Sequence, residues 1–71
     1  MKNSKNFKVG DKVKTLSSGI YGIVTDTNIT PNKLIVRVNI NGVEKDIPKS
    51  NLIWVTDYEW EFIESMENRE D

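Results

Sequence analysis

The groups in this chain that can act on a ligand are carboxylates, lysines, tyrosines and hydroxyls, because its 71 residues include no Cys and no His. That removes thiolate nucleophiles, disulfides, zinc–thiolate sites, the usual general base and the usual transition-metal ligand together. The carboxylates that remain are concentrated at one end. Asp57, Glu59, Glu61, Glu64, Glu67, Glu70 and Asp71 stand against Arg69, a net −6 over residues 57–71. Residues 1–56 carry nine basic groups against four acidic ones, a net +5, so the formal −1 is the difference between two opposed ends.

Seven carboxylates in fifteen residues suit charge recognition better than catalysis. A chain this short has little room for the enclosed cleft that would tune their pKa values. On one helix face they also supply too few converging ligands for a hard cation. Ser17-Ser18-Gly19-Ile20-Tyr21-Gly22 lacks the Gly-Lys-Ser/Thr ending of a phosphate-cradling loop and leads into a strand. The expectation is a protein with no catalytic residue, no metal and no cofactor.

The acidic stretch must be a helix for its spacing to matter. Thr56-Asp57-Tyr58-Glu59 has the form of a capping box, Thr56 accepting from the Glu59 amide and the Glu59 side chain reaching back to the Thr56 N–H. At about 100° per residue, Tyr58, Phe62, Ile63 and Met66 share an arc expected to pack on the rest of the chain. Asp57, Glu61, Glu64, Glu67 and Asp71 share the opposite arc, with Trp60 beside them. Like charges along that arc cost roughly 0.2–0.5 kcal/mol per pair, a small destabilisation that motivates a functional use. The candidate partner-binding residues are Asp57, Trp60, Glu61, Glu64, Glu67, Glu70 and Asp71. The competing structural readings are a solvated face with a frayed tail, and pairing of the acids with Lys8, Lys12 or Lys14.

Ahead of this helix the chain reads as β. Residues 1–6 are polar and aperiodic, an expected flexible arm. In Phe7 to Leu16, Gly10-Asp11 marks a turn, after which Val13 and Thr15 point one way and Lys12 and Lys14 the other. Ile20 to Thr27 is a second strand, with Gly22 marking a bend or a close backbone approach. Leu34 to Ile40 alternates, and Asn41-Gly42 supplies the positive-φ pair of a type I′ hairpin. That turn sets Ile40 opposite Val43, Val38 opposite Lys45 and Val36 opposite Ile47, with Asn39 facing Glu44 and Arg37 facing Asp46 on the other side. Pro48 ends the fourth strand, Lys49-Ser50-Asn51 turns, and Leu52 to Val55 makes a fifth. Five short strands separated by turns suit a small barrel.

Phe7-Lys8-Val9-Gly10-Asp11-Lys12-Val13 and Gly19-Ile20-Tyr21-Gly22-Ile23-Val24 resemble the G-D-x-V and G-x-x-G-x-V pattern of KOW motifs and other SH3-like barrels. Asp46-Ile47-Pro48-Lys49-Ser50-Asn51-Leu52 is similar to the strand and following turn of the RNA-polymerase-interacting, Tudor-like domain of CarD-type proteins. The resemblance spans roughly residues 7–55. It implies a mainly β, five-stranded SH3-like barrel over 7–55; the capping box and periodicity after it add, as part of the same single domain, a C-terminal amphipathic acidic α-helix and frayed tail over 56–71.

Three functions follow as expectations. The first is a non-enzymatic protein-binding module, a phage-type inhibitor whose acidic helix face occupies the basic nucleic-acid-binding surface of a nucleoid-associated or transcription protein by DNA mimicry. The second, implied by the KOW resemblance, is nucleic-acid binding by the basic barrel face through Lys12, Lys14, Tyr21, Lys33, Arg37, Lys45 and Lys49. The third, implied by the CarD-type resemblance, is docking onto RNA polymerase through an exposed sheet edge. The chain shows neither a membrane-spanning run nor the apolar segment of a secretory signal, so a cytoplasmic location is expected. Its Lys, Asn and Ile usage points to a low-GC bacterium or its phage.

Overall fold

The structure, a computed structural model, describes residues 6–67, without the side chain of Glu67. The arm expected over 1–6 lies outside these residues except for Asn6, which is exposed. Five strands follow: β1 (Lys12–Thr15), β2 (Tyr21–Asp26), β3 (Ile35–Ile40), β4 (Val43–Pro48) and β5 (Leu52–Trp54). One helix, α1 (Asp57–Glu67), completes the described residues. The strands form a single antiparallel sheet in the order β4-β3-β2-β1-β5, curled into a small barrel-like fold. Its two edges, β4 and β5, are bridged by a 3-10 turn at Lys49–Asn51 rather than by a ladder of their own among the described residues.

The β3–β4 hairpin has the register that its turn dictates. Ile40 pairs with Val43, Val38 with Lys45 and Val36 with Ile47, while Asn39 meets Glu44 and Arg37 meets Asp46. Asn41 at φ 54 and Gly42 at φ 84 supply the two left-handed positions. On the outer face, the Arg37 Nε donates to Asp46 Oδ1 at 2.8 Å. The guanidinium hydrogen bond holds the Asp46 carboxyl below its usual range.

Alternation along the strands puts one set of side chains inside. Phe7, Val13, Val24, Val36, Val38, Ile40 and Leu52 form a single core, with Ile47 packed against it. Thr15, the one buried polar residue among those described, has its hydroxyl engaged by the Ile20 amide at 3.0 Å. Gly22 is a close-approach position: a Cβ there would lie 2.6 Å from Val38 Cγ1 and 2.7 Å from the Asn39 carbonyl oxygen. Lys12 and Lys14, alternating with Val13, therefore stand on the outer face beside Tyr21, which pairs with Lys14 across β1 and β2.

Candidate functional site

The helix packs over that outer face, and it does so with a different side from the one its apolar periodicity predicts. Tyr58, Phe62 and Met66, expected to anchor α1, are 87%, 65% and 55% exposed. The half-buried positions are Glu59, Trp60 and Ile63, so of the expected anchor arc only Ile63 faces inward. The physical reason lies on the sheet, where α1 meets two ammonium groups and a phenol rather than an apolar surface. A carboxylate and an indole satisfy that surface better than Phe62 or Met66 would.

The contacts converge on Glu59. Its Oε2 accepts a hydrogen bond from the Tyr21 hydroxyl and a second from Lys14 Nζ at 3.2 Å. These two bonds hold the Glu59 carboxyl below the usual range, the tyrosine bond being the larger cause. The same contacts push Tyr21 and Lys14 above theirs, each chiefly through its hydrogen bond to Glu59. Beside this cluster the Trp60 ring meets Tyr21 edge-on, with centroids 6.4 Å apart, and Lys12 Nζ lies 5.9 Å from the indole centroid. The expected capping box is half made. Thr56 Oγ1 accepts from the Glu59 amide at 3.1 Å, but the Glu59 side chain turns to the sheet instead of to the Thr56 N–H.

The sequence-derived acidic face is thereby divided. Asp57 and Glu61 are exposed on α1, and among the described residues neither forms an ion pair. Glu64 accepts from the indole Nε1 of Trp60 at 3.0 Å, closing an i,i+4 pair on the helix surface. Glu67 ends α1 with its side chain outside the described residues, where Glu70 and Asp71 also lie. Tyr58, Phe62 and Met66, four residues apart, instead form an apolar ridge beside Asp57 and Glu61. Apolar periodicity alone predicts packing for these three, and the capping-box pattern predicts a capping role for Glu59. The sequence signal for the observed arrangement is the pair of lysines alternating outward on β1, which call for an anion on whatever covers them.

The basic set is divided as well. Lys12, Lys14 and Tyr21 lie together beneath α1. Arg37 is on the outer face but is engaged by Asp46. Lys45 stands on β4 at the edge of the core-facing side, opposite Val38. Lys33 sits in a left-handed turn position at φ 59 and shares a concave surface with Lys49, Thr27 and Phe7. These seven residues do not form one continuous face.

Among the described residues, two concavities lie against α1. One is lined by Tyr21, Glu59, Phe62, Ile63 and Met66 and is mainly apolar. The other lies between α1 and the hairpin turn, against Gly22, Ile23, Asn39, Asn41 and Glu64. Among the described residues no group of three or more carboxylates is placed to hold a metal ion, and no helix is long and apolar enough to cross a membrane. No protein-family model matches the chain, and no curated protein matches it.

Proposed function

We propose that the chain is a non-enzymatic protein-binding module whose contact surface is the outward face of α1. The carrying observation is the exposure of Tyr58, Phe62 and Met66 in one row beside Asp57 and Glu61. Single exposed apolar residues are ordinary. Three in register on a helix whose other side is already seated form the anchor pattern of a helix that docks in a partner's groove. The apolar concavity along Phe62, Ile63 and Met66 gives room for a partner side chain beside the ridge.

The acids set the chemistry of the partner. An apolar groove rimmed by Lys or Arg complements this face, and such a rim belongs to proteins that bind nucleic acid. The reading is therefore an inhibitor of phage type, in which α1 occupies the basic surface of a nucleoid-associated or transcription protein. The carboxylates compete with phosphates, and the ridge adds apolar contact that a nucleic acid does not offer. The experiment is capture from a low-GC bacterial lysate with wild-type chain, E61Q and the F62S/M66S double variant, followed by elution with duplex DNA. The expected result is a DNA-binding protein held by the wild type, released by DNA and lost with both variants. Equal capture by all three would overturn the assignment of this face.

A further inference from the structure

The turn that fixes the β3–β4 register also holds a reactive dipeptide, since Asn41-Gly42 is the one Asn-Gly pair in the chain. Where the residue after an asparagine has no side chain, its backbone nitrogen can reach the carboxamide carbon and close a five-membered imide. Both residues are exposed, and among the described residues the Asn41 carboxamide has no hydrogen-bond partner. The electrophile is free.

The nucleophile is held. The Gly42 N–H donates to Asn39 Oδ1 at 3.0 Å. Asn39 is itself oriented by a chain of bonds on the outer face of the sheet: its Nδ2 donates to Glu44 Oε2 at 3.3 Å, and Glu44 Oε1 accepts from Thr25 Oγ1 at 2.7 Å. A carboxylate only accepts, so Glu44 takes the amide nitrogen of Asn39 and leaves the oxygen for Gly42. The Gly42 nitrogen must lose its proton before it attacks, and the bond to Asn39 keeps that proton in place.

We propose that Asn41 is a site of self-modification, deamidation through a succinimide, and that Asn39 restrains the reaction while the hairpin is folded. The deprotonated Gly42 nitrogen bonds to Asn41 Cγ, and the carboxamide nitrogen leaves as ammonia. Water then opens the ring. Attack at Cγ restores the main chain and gives aspartate, whereas attack at the main-chain carbonyl carbon leaves Gly42 joined through Cγ, an isoaspartate with one more carbon in the backbone. Asp-Gly suits the same type I′ turn, so the aspartate product keeps the hairpin and adds a charge, while the longer isoaspartate backbone breaks the two-residue turn. The new charge bears on α1, because Asn41 shares a concavity with Trp60, Ile63 and Glu64 and its carboxylate would face that of Glu64. The outward face of α1 takes no part in this chemistry.

The test follows amide-to-acid conversion at Asn41 by peptide mapping and mass spectrometry during incubation of the full chain in mildly alkaline buffer. A synthetic peptide of residues 36–47 is the unfolded reference. The wild type is expected to convert several-fold more slowly than the peptide. N39V keeps a good strand residue without the acceptor, and should convert roughly 2- to 10-fold faster than the wild type, the factor of one net hydrogen bond. Amide spectra of the hairpin establish that N39V is intact. An intact N39V that converts at the wild-type rate overturns the proposal, and so does a wild type as fast as the peptide. Should N39V fail to fold, the wild type in denaturing urea decides: its rate must rise to that of the peptide in the same urea, and a rate that stays at the native value overturns the restraint. N41D, the aspartate product made directly, is expected to move the Trp60 indole N–H resonance, and a resonance at the wild-type position overturns the link to α1.

Discussion

Glu59 accepts a hydrogen bond from the hydroxyl of Tyr21, which ties the first turn of α1 to the start of β2. With Lys14 as the second donor, this one carboxylate sets how the helix is rotated on the sheet. The contact titrates at both ends of the pH scale. The Glu59 carboxyl is held below its usual range, so its contribution is fully present above the free glutamate value of about 4.3 and is lost as pH falls through the lower folded value. Tyr21 and Lys14 are pushed up, so their contribution is present below about pH 10 and is lost as pH rises through the raised values. The Trp60 indole N–H resonance is expected to hold one position between these limits and to move toward its solvent-exposed value beyond each. A resonance that keeps the same position in the E59Q variant would show that the Glu59 carboxylate does not seat the helix.

Replacing Gly22 by Ala puts a methyl group against Val38 Cγ1, the Asn39 carbonyl oxygen and Ile40 Cγ1. The carbonyl belongs to the backbone of β3 and has little freedom to retreat. A loss of about 1–3 kcal/mol is expected, as for overpacking of a filled interior, measured as a lower urea midpoint at unchanged slope.

At the hairpin turn, Gly42→Ala forces a Cβ into the left-handed region at φ 84. The open space around the site removes any packing cost, leaving about 1 kcal/mol of backbone strain. Asn41→Gly, also at a left-handed position, should change stability far less. The comparison of the two urea midpoints separates turn conformation from contact.

Leu52 is fully buried in the core, whereas Leu16 is largely exposed. Leu52→Ala is expected to cost about 2–5 kcal/mol, a large share of the stability of so small a domain, and Leu16→Ala less than about 0.5 kcal/mol. Thermal melts followed by far-ultraviolet circular dichroism distinguish the two.

Thr56→Ala removes the oxygen that receives the Glu59 amide. The expected cost is about 1 kcal/mol, confined to α1. Helical ellipticity should fall while the amide resonances of the hairpin stay in place. A concerted loss of the sheet would mean that α1 and the barrel form one cooperative unit.

Much of the fold is legible in the residues because it rests on local rules. The Asn41-Gly42 turn admits one hairpin register, and Arg37–Asp46 and Asn39–Glu44 follow from it by counting. Val13 and Thr15 inside, with Lys12 and Lys14 outside, follow from the two-residue period of a strand. The cap at Thr56 is likewise written in four consecutive residues, and α1 begins at Asp57 as they require. The destination of the Glu59 side chain is not local, since Lys14 lies 45 residues away and Tyr21 38. No spacing rule within the helix says that the carboxylate goes there rather than back to Thr56.

The acidic stretch shows where local reasoning stops. By itself the sequence determined that a capped helix begins at Asp57, that its charge opposes that of the strands, and that no thiol or imidazole takes part. Only the tertiary structure decided which side of that helix is the inside. Tyr58, Phe62 and Met66 on one arc and Trp60 and Ile63 on another are both apolar enough to pack, so periodicity leaves the rotation open. Two lysines and a tyrosine on the outer face of β1 and β2 close it, because they offer hydrogen bonds and positive charge that a carboxylate and an indole can accept. That choice turns Glu59 inward and leaves the ridge of Tyr58, Phe62 and Met66 in solvent beside Asp57 and Glu61.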